Sequence, residues 1–142
     1  MIDVELVNRK LVLIAEDLAR LEPLAARGRA EYLASEIDET LAERYLERMI
    51  GRMVDVNFHL VVESGHAPPR DYFDSFVALG RTGALDPEFA RRLAPCAGLR
   101  NRIAHEYDAI DPGLVHEALS AAVVDVRDYL AAVRAYLTTA AG

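Results

Sequence analysis

The segment LAERYLERMIGRMVDVNFHLV, residues 41–61, carries two apolar stripes at helical spacing. Leu41, Tyr45, Met49, Met53, Val56 and Leu60 form one; Leu46, Ile50, Val54, Phe58 and Val61 form the other beside it. A helix apolar over so wide an arc must be covered on more than one side. Either it is central in a helical bundle, or one stripe meets a second subunit.

Working outward, Ser35 and Asp38 make a loose capping box for this helix, within a helical region over residues 29–63 that breaks near Ser35. Upstream, Asp3 can cap a first helix whose Val7, Leu11, Ile14, Leu18 and Leu21 repeat at 4-3-4-3 spacing. Pro23 and the loop around Gly28 are expected to end it. Downstream, Gly65–Pro69 reads as a loop with His66 exposed. Asp71 caps a short helix with Tyr72, Phe73, Phe76, Val77 and Leu79 turned inward, stopped near Gly80 and Gly83. Asp86-Pro87 and Asp111-Pro112 each place a capping carboxylate before a proline at the first helical position. Pro95 predicts a kink or brief break before Leu99. The last helix turns Val115, Leu119, Ala122, Val126, Tyr129, Val133 and Leu137 inward, with His116 expected at the surface. No alternating strand pattern, glycine-rich phosphate loop or internal repeat occurs. The expected fold is all-α, an up-and-down bundle of four main helices plus short helices in one domain, residues 1–142.

Composition narrows the function. Apolar residues make up 52% and charged residues 27% of the 142, ordinary for a globular chain. No run is long enough for a membrane span, and MIDVELVNRK lacks the basic-then-apolar order of a signal peptide. A single cysteine, Cys96, excludes an intrachain disulfide and a thiolate zinc cluster, and fits a cytoplasmic protein. With a net charge of −7, any polyanion site must be local. Lys10 is the only lysine among 16 basic residues; the rest are arginines, which suit bidentate phosphate contacts.

The densest polar stretch is Arg100-Asn101-Arg102-Ile103-Ala104-His105-Glu106-Tyr107. Asn101 and His105 lie about 40° apart around a regular helix, whereas Arg100 and His105 are about 140° apart. Those two meet only if the helix ends or tightens near Ala104, or if a partner chain supplies one of them. An imidazole can accept a proton from a ribose 2′-OH or give one to the leaving oxygen. A guanidinium can hold the phosphate, and Asn101 could orient either group. One histidine per chain cannot conveniently be both acid and base; a two-fold dimer would supply two. A capped helix end with a solvated arginine face has the same composition. Arg91, Arg92 and Arg102 could extend an RNA track or form a solvated face. Asp55 and His59 share a helix face without a third ligand, so a structural bond or support for His105 suits them better than a metal.

These residues also carry a resemblance. Arg100-x4-His105-x-Tyr107 resembles the Arg-x(4–6)-His signature of HEPN-domain ribonucleases, and Leu99-Arg100-Asn101 with His105-Glu106-Tyr107 resembles the HepT family. Asp55-Val56-Asn57-Phe58-His59 is similar to a stretch of that family's long second helix. The resemblance implies a homodimeric, metal-independent endoribonuclease toxin that needs no cofactor, paired with a nucleotidyltransferase antitoxin of the MntA type. Carried onto this chain, Arg100 becomes the phosphate ligand, Asn101 an orienting residue and His105 the acid/base. Tyr107 becomes the acceptor of an AMP group that silences the toxin. Two alternatives belong to other classes: a non-catalytic partner of a nucleotidyltransferase, and an RNA- or nucleotide-binding module without turnover.

Overall fold

Helix α3 (Glu36–Glu63) is the hub of the fold in the computed structural model, which describes residues 1–141. It touches α1 (Val4–Ala26), α2 (Arg29–Leu33), α4 (Tyr72–Thr82), α6 (Cys96–His105) and α7 (Pro112–Ala141), while α5 (Pro87–Leu93) packs against α4. The cover over both α3 stripes thus comes from the same chain. Leu46, Met49, Ile50, Met53, Val54, Val56, Leu60 and Val61 are all buried, and one core cluster unites them with residues of α1, α4, α6 and α7. Tyr45 and Phe58 are half-buried, and Leu41, on the open first turns of the helix, is 39% exposed. The all-α expectation holds, and no described helix is long and apolar enough to cross a membrane.

Polar contacts set the helix directions. The Asp3 N–H donates to His59 Nε2 at one end of the α1–α3 pair, and Arg27 meets Asp38 at the other, so the two run antiparallel. The Arg127–Glu22 and Tyr129–Asn57 contacts then make α7 antiparallel to α1 and parallel to α3. Midway along the α1–α3 seam, the fully buried Asp17 carboxylate accepts from Arg20, Arg48 and Arg52. A buried carboxylate is tolerable only with such partners, and these fix the register of the two helices.

The single-residue caps work as read, but the Ser35–Asp38 box closes on one side only, since the Ser35 N–H donates to the Tyr32 carbonyl and the Asp38 carboxylate turns to Arg27. Asp3, Ser35, Asp71 and Asp86 each accept from a backbone N–H of the turn they open, and Asp111 Oδ1 accepts the Gly113 N–H at 2.9 Å. Pro95 separates α5 from α6, and Gly83 ends α4 in the left-handed region at φ 87°.

Three expectations need correction. Pro23 lies inside α1, which continues to Ala26. Its missing N–H costs one bond in the final turns, and buried Leu21 and Leu24 on either side hold the helix past it. Tyr72 and Phe73 are 37% and 50% exposed, because α4 turns Asp74, Ser75 and Phe76 inward instead. His116 is half-buried, with Nε2–H donating to the Arg27 carbonyl at 2.9 Å and its ring 5.0 Å from that of Tyr32.

Candidate active site

The segment around His105 is presented by a short helix with a hard stop at each end. Pro95 stands at the N-cap of α6, and buried Ala97 and Ile103 hold that helix down. Its last backbone bond runs from Glu106 N–H to the Arg102 carbonyl at 2.8 Å. Glu106 then leaves the helical region, at φ −127° and ψ 36°, and a single 3-10 turn (Tyr107–Ala109) leads to the Asp111 cap. His105 is therefore the final helical residue, exposed, and Tyr107 stands 71% exposed just beyond it.

Because α6 stays regular as far as His105, it keeps Arg100 and His105 on different sides. Arg100 is half-buried and turned toward α4, where its guanidinium carbon lies 5.4 Å from the centroid of the Tyr72 ring. Its Nη1 is 3.4 Å from Asn101 Oδ1, and its Nε is buried with no acceptor. Asn101 is thus drawn to Arg100 rather than to the imidazole. Among the described residues no hydrogen bond or ion pair joins Arg100 to His105.

The other arginines open elsewhere. Arg102, 200° around the helix from Arg100, lines a cavity of about 340 Å³ between α3, α6 and α7. Arg92 lines the same cavity, 4.9 Å over the Phe89 ring and 3.4 Å from Asp125. Leu46, Met49, Leu99 and Leu114 make the cavity mostly apolar. Cys96 borders it too; burial and the Asp125 charge push its thiol up to about 12, so it stays protonated and is no nucleophile. Arg91 is exposed.

Asp55 and His59 are not brought to His105. Asp55 pairs with Lys10 at 3.1 Å, and His59 Nε2 accepts from Asp3, so both dock the start of α1 onto α3. Among the described residues no group of three His, Cys, Asp or Glu side chains could hold a metal ion.

Sequence reasoning missed the polar thread behind Arg100. The Tyr129 hydroxyl donates to Asn57 Oδ1 at 2.7 Å, Asn57 Nδ2 donates to Ser75 Oγ at 3.2 Å, and Ser75 Oγ–H donates to the Tyr72 carbonyl at 2.6 Å. Asn57, Ser75 and Tyr129 are each fully buried. Its trace in the sequence is Asn57 itself, an amide within the inward face of α3, since a buried amide must find partners.

Comparison with known proteins agrees with the fold. Residues 14–133 match the family model described as ribonuclease HepT-like. A tRNA nuclease HepT from Aphanizomenon flos-aquae (strain 2012/KM1/D3) is 33% identical over 134 residues, covering 94% of this chain and 91% of the relative. Among solved structures, YutE from Bacillus subtilis, a cytosolic protein of unknown function, superposes with a TM-score of 0.84 at 19% identity, covering 97% of this chain and 92% of YutE. A tri-AMPylated Shewanella oneidensis HEPN toxin, in complex with an MNT antitoxin, gives 0.82 at 18% identity, covering 95% and 99% of the two chains. Fold and sequence match together define a helical protein of the ribonuclease class. The chain belongs to the HepT-like ribonuclease family.

Proposed function

We propose that this chain is the endoribonuclease toxin of a toxin–antitoxin pair, acting in the cytoplasm as a homodimer in which two copies of the Arg100–Tyr107 segment share one cleft. The observation that carries the reading is the placement of His105, exposed on the last turn of a helix whose Arg100 points away from it. One chain offers one imidazole and a separated guanidinium; a two-fold axis beside α6 would supply the second of each. Arg100 then holds the scissile phosphate and Asn101 orients that guanidinium. One His105 removes the proton from the ribose 2′-OH, whose oxygen attacks phosphorus. The other His105 protonates the departing 5′-oxygen. The products are a 2′,3′-cyclic phosphate and a 5′-hydroxyl, and no metal ion is required. Arg91, Arg92 and Arg102 extend the phosphate track. The Aphanizomenon relative, a tRNA nuclease by name, makes tRNA the substrate class to try first.

The same reading assigns the control. Tyr107, 71% exposed beside His105, is open to an MntA-type nucleotidyltransferase partner. Attack of its phenol oxygen on the α-phosphorus of ATP releases pyrophosphate and leaves AMP on the chain. The added phosphodiester charge would occupy the arginines that otherwise hold RNA. The Shewanella HEPN toxin, solved in its AMPylated form with an MNT antitoxin, is a protein of this fold that carries such a modification.

The test is cleavage of tRNA in excess EDTA by the wild-type chain and by His105→Ala. The wild type should give cyclic-phosphate ends. The variant should lose at least about 100-fold in rate, the usual worth of a general acid or base. Full activity in His105→Ala would overturn the acid/base role of His105, and no cleavage by the wild type would leave the chain as an AMP acceptor without turnover of its own.

A further inference from the structure

Arg100 is held in an unusual way for a phosphate ligand. No carboxylate pairs with it among the described residues; its guanidinium lies on the Tyr72 ring at 5.4 Å. That ring is in turn met edge-on by Phe58 of α3, with centroids 6.4 Å apart and planes at 82°. Beneath Tyr72, the Tyr129–Asn57–Ser75 thread ends on the Tyr72 carbonyl, and the Asp71 cap closes the same turn at 2.7 Å from the Asp74 N–H. Three helices, α3, α4 and α7, therefore converge on one backbone position. Its side chain is the floor under Arg100.

We propose that Tyr72 is a positioning residue for Arg100, set in place by the buried Tyr129–Asn57–Ser75 thread. The inference rests on the reading of Arg100 as the phosphate ligand. An aromatic face suits the task better than a carboxylate would. A carboxylate would occupy the donors the phosphate needs and add negative charge to a chain already at −7. The ring attracts the guanidinium through its quadrupole and takes up none of its N–H groups. Burial of Nε without an acceptor fits this arrangement, since that edge is covered and the terminal nitrogens carry the remaining donors. Tyr72 is exposed enough that a purely space-filling role would be met equally by leucine.

The experiment compares Tyr72→Leu, Tyr72→Phe, Arg100→Ala and the double variant Tyr72→Leu/Arg100→Ala. Each is measured for kcat/KM on transcribed tRNA. In a His105→Ala background, each is also measured for tRNA affinity as a function of salt. Thermal melts confirm that each variant is folded. Tyr72→Phe keeps the ring and should stay within about 2-fold of wild type, whereas Tyr72→Leu should lose about 5- to 30-fold in kcat/KM. Loss of one phosphate contact lowers the slope of log affinity against log salt by about 0.7 to 0.9. Tyr72→Leu should show that loss, as Arg100→Ala does, and the double variant should bind no more weakly than Arg100→Ala.

A ring that stacks on RNA directly would leave the slope unchanged and weaken the double variant further, which would overturn the proposal. So would wild-type behaviour of Tyr72→Leu beside an inactive Arg100→Ala, with the assignment of Arg100 left standing. Wild-type activity in Arg100→Ala would remove that assignment, and the proposal with it.

Discussion

Asp74 shows how a single buried carboxylate ties the α4 region together. It accepts the Arg70 N–H at 3.0 Å, and the Arg70 and Arg81 guanidiniums lie within ion-pair reach at 3.7 and 3.5 Å. The backbone bond first, and then the two arginine charges, hold its carboxyl below the usual range. A carboxyl lowered on folding stabilises the native state above its unfolded value of about 3.9 and loses that contribution as pH falls through the lower native value. Asp74→Asn should therefore melt lower than wild type at neutral pH, with the gap closing as pH falls from the unfolded value through the lower native one. A gap independent of pH would show that shape rather than charge matters at this position. The polar run from Arg100 to Tyr107 was plain in the sequence because it interrupts apolar helices. Tyr72 was not. Periodicity groups it with Phe73 and Phe76 as inward, and only the tertiary position of α6 shows that a guanidinium covers it.

Helix boundaries were the most legible level, since caps and prolines act within a few residues of where they stand. Ser35, Asp71, Asp86 and Pro95 each mark a boundary found in the structure. Pro23 misled because the penalty for a proline near a helix end is outweighed by the burial of Leu21 and Leu24. Glycines separate close approach from idle flexibility. A Cβ on Gly80 would lie 3.0 Å from Pro87 Cα, where α4 crosses the start of α5, while one on Gly51 in α3 would meet nothing within 4 Å. Gly80→Ala should destabilise by about 1–3 kcal/mol because backbone must shift. Gly51→Ala should stabilise by about 0.5–1 kcal/mol through helix propensity alone. Urea unfolding of both variants checks the pair, and equal effects would mean that the α4–α5 crossing tolerates a methyl group.

At the scale of the molecule, the wide apolar arc of α3 left two readings open, and the chain itself closes them by wrapping α3 with its own helices. The candidate site behaves differently. A chain of net charge −7 that cleaves RNA must concentrate its arginines, yet in one subunit Arg100 faces α4 while Arg92 and Arg102 open on the cavity toward α7. Which faces meet across a subunit boundary is not written in one chain's periodicity, because any interface patch follows the same helical spacing as a core. The proposed account makes the paired His105 segments the catalytic unit. Its most direct test mixes wild-type chains with an equal amount of His105→Ala chains, lets the subunits exchange fully, and measures tRNA cleavage per wild-type chain. If one cleft needs both imidazoles, only wild-type pairs act, and random pairing leaves about a quarter of the dimers active, or half the activity per wild-type chain. Activity per wild-type chain that is unchanged by mixing would contradict the shared cleft.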